Sequence, residues 1–112
     1  MGEILDNMNK ADVIVMASPV YFYSVDAQMK ALIDRTVAQW LTIKNKEFYY
    51  IMTSAEESDT VMDCTLECLR GLAKCLKGSV ERGVIYGKGV YAAGEIESRP
   101  AMQEAYEMGR RV

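Results

Sequence analysis

Short unbroken apolar runs alternate along this chain with longer segments in which apolar residues recur at helical spacing. The apolar runs predict three strands, at Val13–Ala17, Glu47–Thr53 and about Glu81–Tyr86, and the first of them is typical of a strand buried on both faces of a parallel sheet. The helical patterns predict four helices. The first runs from Met1 to about Asn9, the second has Ser24 or Asp26 as its N-cap and apolar positions from Met29 to Trp40, the third spans Val61 to Lys77, and the fourth begins near Pro100. With about thirty residues between strand centres, this alternation predicts a parallel α/β sheet.

The loop after the first strand is the strongest candidate for a functional site. It contains Ser18, Pro19 and Val20, followed by three aromatic residues at 21–23. Ligands of open α/β sheets bind beyond the carboxyl ends of the strands, where this loop is expected to lie. The alternative interpretation is that the aromatic residues form a hydrophobic staple or a dimer contact.

The same residues resemble a known family. The loop from Ser18 to Phe22 resembles the flavin-contacting segment of the NAD(P)H-dependent FMN reductases, a family that includes the iron-sulfur flavoproteins. The helix that follows the loop also matches, at Gln28, Lys30, Ala31, Ile33, Asp34 and Arg35. The resemblance implies that the isoalloxazine ring of FMN lies against Ser18, Pro19, Val20, Tyr21 and Phe22. It also implies that Thr53 and Ser54, after the second strand, approach another side of the ring.

The resemblance implies a flavodoxin-like fold, a three-layer α/β/α arrangement around a parallel sheet. Members of the family begin with a strand and a loop that holds the FMN phosphate. No such segment is found here, so we expect an N-terminally truncated version with about three strands and four helices, in which residues 1–112 form a partial flavin reductase domain. The first strand then becomes an apolar sheet edge, and we expect a homodimer, as is general among the reductases resembled.

The implied function is that of an NAD(P)H-dependent flavin oxidoreductase. In this interpretation NAD(P)H is the co-substrate, a hydride passes from nicotinamide to FMN, and electrons continue to an unidentified small-molecule acceptor. Two alternatives stay open. The first is an FMN-binding electron carrier without its own nicotinamide reaction. The second is a structural or dimerisation module that binds no flavin.

Composition narrows the classes of partner. The net charge of −3 comes without a basic cluster, so we expect no nucleic-acid partner. No apolar run has the length of a membrane span, and Glu3 and Asp6 argue against a signal peptide, so the expected location is the cytoplasm. The chain has no histidine, which excludes Ser-His and Cys-His nucleophiles. The lack of histidine is compatible with hydride transfer to a flavin, because the cofactor supplies the chemistry of that reaction.

Three cysteines and a glycine-rich segment can each be interpreted either as ordinary structural features or as parts of a functional site. Cys64, Cys68 and Cys75 share one face of the third predicted helix, which we expect to be buried; the alternative is a soft-metal site. The tight cysteine cluster of the iron-sulfur flavoproteins is absent, so we expect no iron-sulfur centre and no metal. The segment 86–95 has dinucleotide-binding glycine spacing, but no helix is predicted to start there, so we expect an irregular loop. In the family resembled, a similar stretch precedes a closing helix.

Overall fold

The computed structural model describes all 112 residues. Its strands are β1 (Val13–Pro19), β2 (Glu47–Thr53) and β3 (Val80–Gly87), and its helices are α1 (Gly2–Lys10), α2 (Ala27–Arg35), α3 (Asp63–Cys75) and α4 (Pro100–Arg110). Single 3-10 turns occupy Thr36–Ala38, Asp59–Met62 and Glu95–Ser98. The predicted order of helices and strands is therefore confirmed. None of the helices is long and apolar enough to cross a membrane.

The three strands form one parallel sheet in the order β1-β2-β3. Pro19 lies beside Thr53, and Thr53 lies beside Gly87, so the carboxyl ends of all three strands meet at one edge. The loops that follow the strands consequently begin next to each other. This edge is where the chain positions its candidate site.

Helices cover both faces of the sheet. On one face, side chains of β2 and α3 form the main core, in which Phe48, Tyr50 and Leu69 are almost fully buried. On the other face, α4 packs against β3, and Met108 approaches Gly83 so closely that a side chain at that glycine would collide with it. The three-layer α/β/α architecture is thus the flavodoxin-like one that the family resemblance implies.

Strand β1 is buried on one face only, so the prediction of burial on both faces is wrong. Met16 is buried, whereas Val15 is 56 % exposed and Ala17 is exposed. The reason is that α4 covers the β3 side of its face of the sheet and leaves the β1 side uncovered. An unbroken apolar run alone does not distinguish these two environments.

The second helix is shorter than predicted. Asp26 caps its start by accepting a hydrogen bond of 2.7 Å from the amide of Met29. The α-helix ends at Arg35 and continues as a 3-10 turn, which rotates the following residues away from the core. Val37, expected on the buried side, is 70 % exposed, and Trp40 is 42 % exposed.

The buried face of α3 also differs from the prediction. Thr65, Leu66, Leu69, Leu72 and Ala73 are buried, while Cys64 and Cys75 are exposed and Cys68 is partly buried. Leucines remove more apolar surface from water than cysteines do, so the leucine side of the helix faces the sheet. The partial burial of Cys68 raises the pKa of its thiol.

Candidate site at the carboxyl edge of the sheet

The β1–α2 loop is held by the hydroxyl of Ser18. Its Oγ accepts a hydrogen bond of 3.0 Å from the amide of Asp26 and donates one of 2.8 Å to the carbonyl of Pro19. Ser18 is 4 % exposed, so both bonds are sheltered from water. This serine therefore fixes the two ends of the loop relative to each other.

Between these ends, residues 21–24 form a tight hairpin. The amide of Tyr21 donates to the carbonyl of Ser24 at 2.9 Å, and the amide of Ser24 donates back to Tyr21 at 3.1 Å. The two central residues, Phe22 and Tyr23, have φ values of 51° and 68°, a left-handed conformation that is uncommon outside glycine and asparagine. As a result Phe22 is fully exposed and projects into solvent.

The loop after β2 joins the other two loops. Its first residue, Ser54, is buried, and its amide donates to the carbonyl of Gly87 at 2.9 Å. The carbonyl of Ser54 accepts from the amide of Val90 at 2.9 Å, and the carbonyl of Thr53 accepts from Val20 at 2.8 Å. Backbone hydrogen bonds thus connect the segments that follow β1, β2 and β3 into one edge.

The loop after β3 folds around a carboxylate. Glu95 accepts a hydrogen bond of 3.1 Å from the amide of Tyr91, and its carboxylate also interacts with the amide of Ala92. These two backbone hydrogen bonds lower the pKa of Glu95. Gly94 supplies the left-handed residue, with φ of 86°, that lets the chain turn back.

The three loops enclose a cavity of about 520 Å³. Its lining is mostly apolar and small, and it consists of Pro19, Val20, Tyr21, Thr53, Ser54, Ala55, Val90, Tyr91, Ala92, Ala93, Gly94 and Ile96. The volume is in the range of small-molecule sites. The lining contains no Asp, Glu, His, Lys or Arg.

The polar groups of the lining residues are the hydroxyls of Tyr21, Thr53, Ser54 and Tyr91 and unpaired backbone amides. The amides of Ala55, Ala93 and Gly94 have no hydrogen-bond acceptor within the chain. An unpaired amide in a partly apolar site is a donor available to a ligand. The cavity therefore suits a flat molecule with an apolar part and a few acceptor atoms at its edge.

Cations lie near the cavity but not in its lining. Arg99 is 3.2 Å from Glu57 and donates to the carbonyl of Gly89 at 2.7 Å, and Lys88 is 2.6 Å from Asp59. Both side chains are therefore already paired. A phosphate in the cavity would have no cationic side chain as a partner.

Five of the seven residues predicted for the site line this cavity: Pro19, Val20, Tyr21, Thr53 and Ser54. Ser18 anchors the loop through its hydroxyl, and Phe22 is fully exposed; neither residue lines the cavity. Their direct contact with a ligand stays a prediction.

The residues that sequence reasoning missed are Ala55 and the wall from Val90 to Ile96. The signal for this wall was the position of a glycine-rich segment directly after a strand, at the same edge as the other two loops. That segment carries no helix at its glycines, since the next turn begins at Glu95 and the next helix at Pro100. The expected absence of a dinucleotide-type helix start there is thereby confirmed.

Both the sequence and the fold of the chain are similar to those of known proteins. Over 36 residues the chain is 56 % identical to an iron-sulfur flavoprotein of Methanocaldococcus jannaschii, a match that spans 32 % of this chain and 19 % of that protein. The structure of the Trp repressor binding protein from Bacillus subtilis superposes with a TM-score of 0.80 at 15 % identity, over 99 % of this chain and 76 % of that one.

General stress protein 14 from Treponema denticola, solved in complex with FMN, superposes with a TM-score of 0.65 at 14 % identity, over 98 % of this chain and 70 % of that one. At these identities the two structural likenesses concern the fold. The sequence itself carries the family: the family model of the NADPH-dependent FMN reductases matches residues 1–64, more than half of the chain. The chain belongs to the NADPH-dependent FMN reductase family.

Proposed function

We propose that this chain is a flavin oxidoreductase that holds the isoalloxazine ring of FMN in the carboxyl-edge cavity. The observation that carries the proposal is the enclosure of one cavity by the loops after all three strands, with β1-loop residues of the family segment on its wall. The FMN complex of the Treponema denticola protein of like fold supports the choice of ligand.

The residues present fit the ring of FMN. Val20, Ile96 and the small alanines offer an apolar surface to the ring, and the unpaired amides of Ala55, Ala93 and Gly94 are donors for its carbonyl and nitrogen acceptors. The cavity does not fit the phosphate group of FMN equally well, because its lining has no charged side chain. Charge-assisted hydrogen bonds are the stronger ones, so ring contacts have to provide most of the affinity.

Bound FMN would supply the redox chemistry, by taking up a hydride from NAD(P)H and passing electrons to an acceptor. The chain contributes binding and shape. Tyr21 and Tyr91 stand at the mouth of the cavity, where they are 61 % and 89 % exposed. Their rings are placed to cover a flavin in the cavity and limit its contact with water.

A fluorescence titration of FMN with the purified chain tests the proposal. We expect saturable one-to-one quenching, and we expect Ala93→Leu to weaken it at least tenfold because the new side chain fills the cavity. Ala38→Leu, at an exposed position in the 3-10 turn after α2, is the matched control and leaves binding unchanged. No quenching up to roughly millimolar, where the binding free energy is only about −4 kcal/mol, would overturn the proposal.

The reductase activity needs a second measurement. With FMN bound, oxidation of NADPH or NADH followed by absorbance should depend on both FMN and the intact cavity, and should fall with Ala93→Leu. Binding of FMN without any nicotinamide oxidation would instead indicate an electron carrier.

A further inference from the structure

The negative charge of the chain is concentrated in the loops at the carboxyl edge. Between the ends of the strands and the next α-helices, at 20–26, 54–62 and 88–99, lie six carboxylates and two cations, a net charge of −4. The carboxylates are Asp26, Glu56, Glu57, Asp59, Glu95 and Glu97, and the cations are Lys88 and Arg99. The rest of the chain has a net charge of +1, with eleven cations and ten carboxylates. The carboxyl edge is therefore the acidic end of an otherwise nearly neutral molecule.

The same edge exposes four aromatic side chains at the mouth of the cavity and beside it. Tyr21, Phe22 and Tyr23 follow β1, Tyr91 follows β3, and each is at least 61 % exposed. Phe22 is 100 % exposed, so its ring packs against no other part of the chain. A cluster of exposed aromatic side chains marks an interaction surface, and such side chains are enriched where proteins contact each other.

The backbone fixes the projection of Phe22. Phe22 and Tyr23 are both left-handed, and two hydrogen bonds between Tyr21 and Ser24 close the hairpin around them. A left-handed backbone is unfavourable at residues other than glycine. The chain thus holds this ring in solvent against a conformational cost, and a hydrophobic staple within the chain does not account for it.

Shape and charge together select the kind of partner. A projecting ring requires a recess in a larger molecule, because a small ligand cannot enclose it. A second copy docked through the same edge would bring two acidic surfaces together, and nucleic acids and anionic membranes would be repelled for the same reason. A protein with an apolar recess and basic side chains around it complements both features of the edge.

We propose that the carboxyl edge is the docking surface for a basic electron-transfer protein. Phe22 enters an apolar recess of that protein, whose basic side chains face the carboxylates of the three loops. The docked protein covers the mouth of the carboxyl-edge cavity, between Tyr21 and Tyr91. Docking itself needs no flavin, whereas the choice of an electron-transfer protein rests on the proposed function.

Calorimetric titration of the chain without flavin against cytochrome c, a small basic electron-transfer protein, tests the docking. We expect a Kd of about 10–100 µM at low salt, because electron-transfer interfaces are small and weak. Phe22→Asn should bind at least about tenfold more weakly, and its hairpin should persist because asparagine tolerates a left-handed backbone. Tyr106→Gln, which alters an exposed aromatic residue on α4, is the matched control and should bind unchanged.

A charge reversal tests the acidic edge separately. Glu97→Lys should weaken binding about threefold to tenfold at low salt, and the difference should shrink as added salt screens the charges. Asp12→Lys makes the same change of charge at an exposed position before β1, at the opposite edge of the sheet. It should change the affinity less than Glu97→Lys does.

Reduction of cytochrome c, measured without oxygen in the presence of FMN and NADPH, connects docking to the cavity. One NADPH supplies two electrons, which reduce two ferric haems to ferrous haems, and one proton is released. Phe22→Asn should slow this reaction at least about fivefold, since it weakens the complex. Reduction of ferricyanide, an acceptor too small to need the docking surface, should be unchanged in the same variant.

Three outcomes would overturn the proposal. The first is no binding of cytochrome c up to roughly millimolar, where the binding free energy is only about −4 kcal/mol. The second is an affinity that Phe22→Asn leaves unchanged, or that Asp12→Lys lowers as much as Glu97→Lys. The third is an equal loss of cytochrome c and ferricyanide reduction in Phe22→Asn. Binding of cytochrome c with no reduction of either acceptor would overturn the proposed flavin function and the electron-transfer role of the partner, and confirm the docking surface alone.

Discussion

At the scale of single residues, the most unusual feature is the conformation of Phe22 and Tyr23. Both are left-handed, and neither is glycine, asparagine or aspartate. A left-handed conformation costs a non-glycine residue roughly 1–2 kcal/mol. Strain of this kind persists where the surroundings impose it, and it is common near binding sites. Here the hairpin places two aromatic rings in solvent beside the mouth of the carboxyl-edge cavity.

Tyr23→Gly is expected to stabilise the chain by about 0.5–1 kcal/mol, because glycine adopts a positive φ without steric cost and the tyrosine ring is mostly exposed. Urea unfolding of the unliganded chain measures the change. Tyr21→Gly is the control in the same hairpin; its backbone has no positive φ, so it is expected to destabilise. Equal destabilisation by both variants would show that the tyrosine side chain at 23 contributes more than its backbone conformation costs.

At the scale of elements, the positions of helices and strands along the chain were more predictable than which of their faces are buried. Strand β2 was predicted with its observed bounds, since an unbroken run of aromatic and β-favouring residues, Phe48 to Met52, lies between polar segments. The face of α3 was predicted in part: Leu72 and Leu76 are buried as expected, but Leu66 and Leu69 centre the buried face on another side, which leaves Cys64 and Cys75 exposed. Only contact with the sheet decides between these two sides. The end of α2 was mistaken because apolar spacing continues into a 3-10 turn.

Only part of the carboxyl-edge cavity was predicted from the sequence, because only two of its three loops follow a recognisable pattern. The β1 and β2 loops follow strands of recognisable pattern, and the family segment points to Pro19 and Tyr21. The wall from Val90 to Ile96 is irregular, and its shape depends on Glu95 and Gly94 rather than on any period. Local hydrogen bonds between a side chain and the backbone of an irregular loop leave little trace in a single sequence.

The Glu95 carboxylate is expected to hold this wall in place. Glu95→Gln should weaken FMN binding about threefold at pH 7, because the wall spends less time in its binding conformation. The neighbouring Glu97→Gln, which removes an equal charge from the same turn, is the control and should have no effect. An affinity unchanged in Glu95→Gln would mean that Gly94 and the surrounding backbone suffice to shape the loop.

The same carboxylate predicts a pH dependence. Because the folded pKa of Glu95 is lowered from its ordinary 4.5, its stabilisation of the loop is complete above that value and is lost as the pH falls through the lowered folded pKa. FMN affinity should therefore decline below about pH 4.5 more steeply for the unmodified chain than for Glu95→Gln. Parallel titrations at several pH values, within the range where circular dichroism shows both chains folded, make this comparison.

The absence of charge from the cavity lining predicts how FMN and riboflavin compare. Both carry the same ring, and only FMN carries the phosphate. If ring contacts provide the affinity, the two dissociation constants should agree within about threefold, far less than the difference expected from charge-assisted phosphate contacts. The fluorescence titration described for FMN, repeated with riboflavin, measures the ratio. FMN binding a hundredfold tighter would locate a phosphate partner outside this cavity.

At the scale of the whole molecule, helices and sheet leave two surfaces without a covering layer. One is the apolar cleft between α2 and α3, whose walls include Ile33, Trp40 and Leu72. The other is the β1 side of the sheet, with Val15 exposed and no strand beyond β1. Apolar strand edges of this kind pair readily with other strands.

The unpaired edge of β1 has a consequence for the exchange of amide hydrogens with solvent. Asp12 and Val20 bond toward β2 through the amide of Glu47 and the carbonyl of Thr53. Backbone groups alternate along a strand, so the amides of Val13, Val15 and Ala17 point away from the sheet. They should exchange with deuterium at least about tenfold faster than those of Ile14 and Met16 in the same strand. Uniform slow exchange along β1, followed residue by residue by NMR, would reveal that another strand occupies this edge in solution.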